Sequence, residues 1–415
     1  MHYFNYVKDK MYCENVPVEQ LVKEFGTPLY IYSGKTLLRH FHAFDESFKS
    51  HRHITCYSVK ANSNIAILNL FAREGAGFDI VSGGELYRAL KAGADPQKIV
   101  FSGVGKTEEE IEMALKAGIL MFNLESEAEL YTVNSIAYQL DKKAPISFRI
   151  NPDVNPLTHP YISTGLKKNK FGIAFENALE LYLKANKLSN IEVVGVDCHI
   201  GSQITQLAPF LEAIDKVKLL IEKLEEKGLN IRYIDLGGGL GISYKDEEPP
   251  HPNEYGEAVL KRFKNVDKTL IFEPGRVIVG NAGMLVTKVL YIKENSEKKF
   301  AIVDAAMNDL ARPALYGSYH TILTIDKKEH NGEIYDVVGP ICESTDFFAK
   351  DRSLPKLEKN DYLCILSAGA YGFSMASNYN SRKKSAEVLV MDHKYYLIRE
   401  RDTLEELISK EKIPF

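Results

Sequence analysis

Cysteine is scarce in this sequence, and long apolar runs are missing altogether. The five cysteines, Cys13, Cys56, Cys198, Cys342 and Cys364, are odd in number, widely spaced and without a Cys-x-x-Cys pair. Neither a disulfide framework nor a zinc site is indicated, and a reducing compartment is expected. No apolar stretch approaches the ~20 residues that span a bilayer. The stretch Met1-His2-Tyr3-Phe4-Asn5-Tyr6 lacks the basic region and apolar core of a signal peptide. A cytoplasmic protein without a membrane partner is expected. Charge of one sign is not in excess either: 52 basic and 56 acidic residues are spread along the chain, for a net charge of -4. That argues against nucleic acid or an anionic membrane as the main partner and in favour of small molecules. The Walker loop and the Gly-x-Gly-x-x-Gly fingerprint are absent, and no His/Asp/Glu cluster stands at ligand spacing, so no metal is expected.

What is present is length and apolar content: 415 residues, 45% of them hydrophobic, suffice for two cores. The organising stretch is Tyr57-Ser58-Val59-Lys60-Ala61-Asn62, where a β-branched and aromatic run over 53–59 reads as a buried strand ending at Lys60. A helix should follow, capped by Ser63 and stopped at Gly75 and Gly77. A lysine at the mouth of a buried strand suits Schiff-base chemistry, although a lone lysine there more often snorkels to water. From this point a unit of short apolar run, turn and amphipathic helix recurs eight times, with later runs at 77–81, 99–102, 120–124, 146–150, 193–199, 231–236 and 269–273. Helices are expected over 84–92, 108–117, 127–140, 175–185 and 209–227. This is the pattern of a (β/α)8 TIM-type barrel in the α/β class; an open doubly wound sheet is the alternative. Beyond Gly280 the rhythm becomes strand-like, at 284–292, 300–304, 335–338, 362–366 and 386–390. A barrel over 31–280 and a second, all-β domain from 1–30 and 281–415 follow, the latter a sandwich or barrel-like fold that completes the active site.

In such barrels chemistry sits at the carboxyl ends of the strands, and the unusual polar residues fall there. Lys60 ends the first run, His199 the sixth, Gly237-Gly238-Gly239 the seventh and Glu273-Pro274-Gly275-Arg276 the eighth. The glycine run offers unobstructed N–H groups for a phosphate, or is simply a tight turn. Phosphate with a Schiff-base lysine points to pyridoxal phosphate, whose ring withdraws electrons from a neighbouring carbanion. Glu273 then keeps the ring nitrogen protonated, or pairs with Arg276. His199 either stacks on the ring or is a satisfied core residue.

These stretches, together with Phe78-Asp79-Ile80-Val81-Ser82-Gly83-Gly84-Glu85-Leu86, His199-Ile200-Gly201-Ser202-Gln203, Arg312-Pro313-Ala314-Leu315-Tyr316, Cys342-Glu343-Ser344-Thr345-Asp346 and Gly369-Ala370-Tyr371-Gly372, resemble the diaminopimelate decarboxylases. Those are alanine-racemase-like, fold type III enzymes that use pyridoxal 5'-phosphate, and the resemblance covers nearly the whole chain. It implies decarboxylation of meso-2,6-diaminopimelate to L-lysine and CO2, the last step of lysine biosynthesis. It also implies that Lys60 carries the cofactor, with Asp79, His199, Ser202, Gly239, Glu273, Gly275, Arg276 and Tyr371 as cofactor contacts. Arg276, Arg312, Tyr316, Glu343 and Tyr371 would bind substrate, and Cys342 would be the acid. In the family the Cys342–Glu343 segment comes from a second subunit, so a homodimer with shared active sites is implied. Residues 151–172, with the core His159-Pro160-Tyr161-Ile162-Ser163-Thr164-Gly165, resemble the family's mobile active-site loop. Thr345 stands where a smaller residue is expected. Related decarboxylases of ornithine, arginine or carboxynorspermidine are the near alternative, and a non-catalytic cofactor-binding regulator the distant one.

Overall fold

The eight apolar runs form strands, named here β1 (His53–Ser58), β2 (Gly77–Ile80), β3 (Ile99–Phe101), β4 (Met121–Leu124), β5 (Ala144–Asn151), β6 (Ile191–Asp197), β7 (Tyr233–Asp235) and β8 (Thr269–Phe272). Each pairs in parallel with the next, and β8 returns to β1 through Leu270, Ile271 and Phe272 against His53, Ile54 and Thr55. The result is a closed (β/α)8 barrel. It comes from a computed structural model that describes residues 2–156, 169–329 and 332–415. β2, β3 and β4 are buried at every position, without alternation. Their continuous apolar character therefore reflects a sheet covered on both faces.

Several of the helices between the strands begin on side-chain caps. Ser82, Thr107 and Ser126 accept from the N–H three residues on, Thr107 in a full capping box with Glu110. The first of these helices, Ile65–Arg73, is capped by Asn64 and not by Ser63. Asn64 reaches the Ala66 N–H across 3.0 Å, so the helix starts one residue later than expected. A helix over Pro252–Arg262, absent from the sequence reading, completes the series before β8; its signals are Pro252 at the first turn and a His251–Glu254 capping box.

The chain divides into two compact units, Phe41–Ile242 with Glu248–Val277, and Met1–His40 with Ser243–Glu247 and Ile278–Phe415. The first holds the barrel. The second is built on a mixed sheet in which Leu29–Ser33 lies between Gly283–Glu294, antiparallel, and Ala386–Met391, parallel. Leu29–Ser33 is hydrogen-bonded on both edges within this sheet and so belongs to the second unit. The helix Val18–Phe25 lays Val18, Leu21 and Val22 on a core that includes Leu29, Ile31, Met284, Val286, Val388 and Val390. Strands Ile322–Thr324, Phe347–Leu354 and Lys394–Arg399 escape the sequence reading; the last is largely exposed at a sheet edge and carries little apolar pattern. Among the described residues no helix is long and apolar enough to cross a membrane.

Candidate active site

Every barrel strand delivers a polar side chain to its carboxyl end, and these side chains are linked. Ser58 closes β1, its Oγ 2.8 Å from Asp79 Oδ2 and 2.9 Å from the Glu273 carbonyl. Lys60 stands on the single turn Val59–Ala61 just beyond β1 and ion-pairs with the same Asp79 oxygen. Asp79 is fully buried, and its second oxygen, Oδ1, has no hydrogen-bond partner. Ser102, after β3, donates to Glu273 Oε1 at 3.1 Å. Asn123 of β4 donates to Asp235 Oδ2 of β7 at 3.1 Å and to Glu273 Oε1 at 3.4 Å. Ser147 of β5 donates to Asn123 Oδ1 at 2.6 Å, which holds the amide with its N–H groups toward the carboxylates.

Asp197 of β6, Asp235 and Glu273 come within 4.8 Å of one another, all buried. Their spacing in the sequence gives no sign of this cluster, because strand ends far apart in sequence converge at one end of a barrel. Burial pushes all three carboxyls well above the usual carboxylate range, and each is raised further by its neighbours: Glu273 acts on Asp197, Asp197 on Asp235, and Asp235 on Glu273. Three carboxyls this close do not all ionise, so they share protons. Arg149 of β5 opposes the rise at Asp197 and Glu273. Its guanidinium donates to Glu125 Oε1 at 3.1 Å and to the His199 carbonyl at 3.3 Å, and it lies over Phe171.

His199 lies two residues past the end of β6. Its Nδ1 accepts the Gly238 N–H at 3.1 Å, which leaves the ring proton on Nε2. Burial, with the positive charges of Arg149 and Lys60, holds this imidazole well below its ordinary pKa, so it is neutral at pH 7. Glu85, at the start of the helix after β2, accepts the Val81 N–H at 2.8 Å, and burial pushes its carboxyl up to about 7.

The glycine run is tighter than a phosphate loop needs to be. Gly237 and Gly239 have φ of 64° and 114°, in the left-handed region, and a Cβ at Gly238 would lie 2.1 Å from the Glu273 carbonyl oxygen. Gly237 N–H is taken by Asp235 Oδ1 and Gly238 N–H by His199. Among the described residues only Gly239 of the three keeps its N–H without a partner. Nearby, Arg276 donates to Ser202 Oγ at 3.3 Å from Nε and 3.0 Å from a terminal nitrogen. Gly275 packs where a Cβ would come 3.0 Å from both Ala61 and Ser58 side chains. A cavity of about 450 Å³ is lined by Lys60, Ser102, Arg149, Phe171, Asp197, His199 and Glu273.

Arg312, Tyr316, Cys342, Glu343 and Tyr371 belong to the sheet unit. Arg312 is buried on the short helix Arg312–Tyr316, which ends at Gly317 with φ 61°. Cys342 is exposed and its N–H donates to Asn380 Oδ1 at 2.9 Å; Glu343 beside it accepts from the Thr345 N–H at 3.4 Å. Tyr371 holds φ 55°, an unusual backbone for a bulky residue. The loop core His159–Gly165 lies outside the described residues. Ser102, Asn123, Ser147, Arg149, Asp197 and Asp235 were not singled out from sequence. Their signal was a polar residue within or just past an otherwise apolar strand, near its carboxyl end.

An amine, a neutral imidazole and a buried carboxyl gathered at the carboxyl end of a parallel barrel define a cofactor site, and residues 35–280 match the pyridoxal binding domain of the pyridoxal-dependent decarboxylases: the chain belongs to that family. Its relatives narrow the placement. It is 54% identical over 415 residues to the diaminopimelate decarboxylase of Vibrio cholerae, covering 100% of this chain and 99% of that protein. It is likewise 54% identical over 413 residues to that of Haemophilus influenzae, covering 99% of each. The structure of diaminopimelate decarboxylase from Helicobacter pylori complexed with L-lysine superposes with a TM-score of 0.92 at 48% identity, covering 95% of this chain and 99% of that one. Within the family the chain groups with the diaminopimelate decarboxylases.

The residues present fit pyridoxal phosphate by their chemistry. Lys60 supplies an amine for the aldehyde, Glu273 an acid for the ring nitrogen, His199 an uncharged flat ring, and the Gly239 N–H with Arg276 and Ser202 donors for a phosphate. The orphaned oxygen of Asp79 is a buried acceptor on the carboxylate that meets Lys60.

Proposed function

We propose that this chain decarboxylates meso-2,6-diaminopimelate to L-lysine and CO2, closing lysine biosynthesis. The observation that carries the reading is Lys60, ion-paired to Asp79 in the cavity that also presents His199 and Glu273. When bound, pyridoxal phosphate supplies the electron sink for the pair left on the substrate carbon. Lys60 would hold it covalently through Nζ. Glu273, steadied by Ser102 and Asn123, holds a proton toward the ring nitrogen, and the acids behind it keep protons available within the barrel. His199 would lie against the bound group without adding positive charge. Gly239, Gly275, Ser202, Arg276 and the Tyr371 hydroxyl would hold its phosphate.

The substrate is zwitterionic at both ends. Arg276, Arg312 and Tyr316, with Tyr371, take the carboxylate of the end that is not cut, and Glu343 takes its ammonium; a guanidinium suits a planar carboxylate because two donors meet two oxygens. At the other end the bond to the carboxylate breaks, CO2 leaves, its electron pair stays on the carbon, and the Cys342 thiol returns one proton there. Cys342 and Glu343 serve the barrel of a second copy, so the working form is a homodimer in the cytoplasm, where the free thiols stay reduced.

The test is CO2 release from meso-diaminopimelate by the purified protein with added pyridoxal phosphate, run beside Lys60→Ala. Turnover in the parent and none in the variant is expected; a parent that binds the cofactor but releases no CO2 would overturn the substrate reading. Sharing is tested by mixing two inactive variants, Lys60→Ala and Cys342→Ala. In a symmetric dimer with shared sites, a randomised equal mixture recovers about one quarter of parent activity; no recovery would show each site complete in one chain.

A further inference from the structure

The geometry points to His320 as a positioning residue that sets the orientation of Arg312. His320 is completely buried. Its Nδ1 lies 2.8 Å from the Leu366 carbonyl, which only accepts, so Nδ1 carries a proton. Its Nε2 lies 3.1 Å from a terminal nitrogen of Arg312, which only donates, so Nε2 offers its lone pair. Each partner permits one role, and together they specify a neutral imidazole in a single tautomer. Tyr244 completes the grip. Its ring lies beneath the guanidinium, 4.6 Å from Cζ, and meets the imidazole edge to face at 5.4 Å. The imidazole is itself anchored through its backbone, since Arg352 donates to the His320 carbonyl at 2.8 Å and the neighbouring Thr321 carbonyl accepts the Leu366 N–H at 2.9 Å.

The choice of a neutral acceptor has a chemical meaning. A carboxylate in place of His320 would orient the guanidinium equally well but would cancel the charge that a ligand carboxylate needs. A neutral acceptor orients the guanidinium without itself cancelling that charge. Tyr244 acts the same way, attracting the cation through its ring face without neutralising it. The ligand class is therefore an anion with a planar, two-oxygen face, and the property set by His320 is affinity for it. This rests on the reading of Arg312 as the partner of the substrate's far carboxylate.

The experiment measures kcat and KM for meso-diaminopimelate in the cofactor-saturated enzyme carrying Arg312→Ala, His320→Phe, His320→Gln, His320→Glu or Tyr244→Leu, with cofactor occupancy read by absorbance. A hydrogen bond to a charged group corresponds to a factor of roughly 10 to 100. His320→Phe is therefore expected to raise KM about 10-fold or more while kcat stays within about 3-fold. His320→Gln, whose amide can accept from Arg312 and donate to Leu366, restores KM to within about 3-fold of the parent, and His320→Glu does not. Tyr244→Leu raises KM by an independent route and stands in if His320→Phe does not fold. A KM that rises in Arg312→Ala but not in His320→Phe or Tyr244→Leu overturns the positioning role alone, as does a His320→Gln variant no better than His320→Phe. An unchanged KM in Arg312→Ala overturns the reading of Arg312 and the inference with it.

Discussion

Asp79 takes the charge of Lys60 on one oxygen and buries the other without a partner. Asp79→Asn keeps the shape and removes the anion; losing a charged hydrogen bond of about 1.5–3 kcal/mol predicts a fall in kcat/KM of roughly 10- to 100-fold, measured by CO2 release. Glu85 makes a different prediction, about pH. Its carboxyl rises from 4.5 to about 7 on folding, so the folded state binds the proton more tightly than the unfolded chain. Stability from this group is complete below the unfolded pKa and declines as pH rises toward about 7. The melting temperature of Glu85→Gln should accordingly fall less between pH 5 and pH 8 than that of the parent; parallel curves would remove Glu85 as a source of the pH dependence. Lys60, His199 and Glu273 were legible because each is an unusual residue at the end of an apolar run. Ser58, Ser102 and Ser147 carry a weaker contrast, since a serine in a strand is ordinary. Asp197 and Asp235 interrupt apolar strands, but their meeting depends on barrel closure, which no local pattern records.

The glycine run works as an element, because three residues thread past the Glu273 carbonyl and the Gly201 carbonyl where no side chain fits. At Gly239 a Cβ would stand 2.5 Å from the Gly201 oxygen on a backbone with φ 114°. Gly239→Ala is expected to weaken pyridoxal phosphate binding roughly 5- to 150-fold in a titration followed by absorbance, since strain of about 1–3 kcal/mol falls on the loop itself. Helix caps give the contrasting case. Thr107→Ala should destabilise the barrel by about 1 kcal/mol in thermal unfolding and leave cofactor affinity unchanged. The helices Glu108–Ala117 and Phe175–Ala185 were legible to the residue, the first because its capping box is written in Thr107 and Glu110. Lys394–Arg399 was not, because its burial comes from one neighbour and its exposed residues carry no period.

At the scale of the whole molecule the barrel was legible because its eight units follow one another and pair with sequence neighbours. Removing the cofactor tests how far it supports that barrel: a ligand held at about 100 times its Kd adds about 2.7 kcal/mol. Stripping with hydroxylamine should lower the melting temperature by roughly 5–10 °C, restored by adding pyridoxal phosphate back. The sheet unit was less legible, because its pairings ignore chain order. Leu29–Ser33 hydrogen-bonds on one side to residues around Met284 and on the other to Ala386–Val390. During synthesis on a ribosome the whole barrel sequence is therefore made between this strand and its last neighbour. At ~5–20 residues per second, roughly 20 to 70 s pass with one edge of the strand bare. All eight barrel strands emerge well before that partner, so this unit can finish folding only after the barrel's sequence is complete. A chain cut short before residue 386 would carry an apolar strand with an open edge, the kind of surface that chaperones bind and proteases remove.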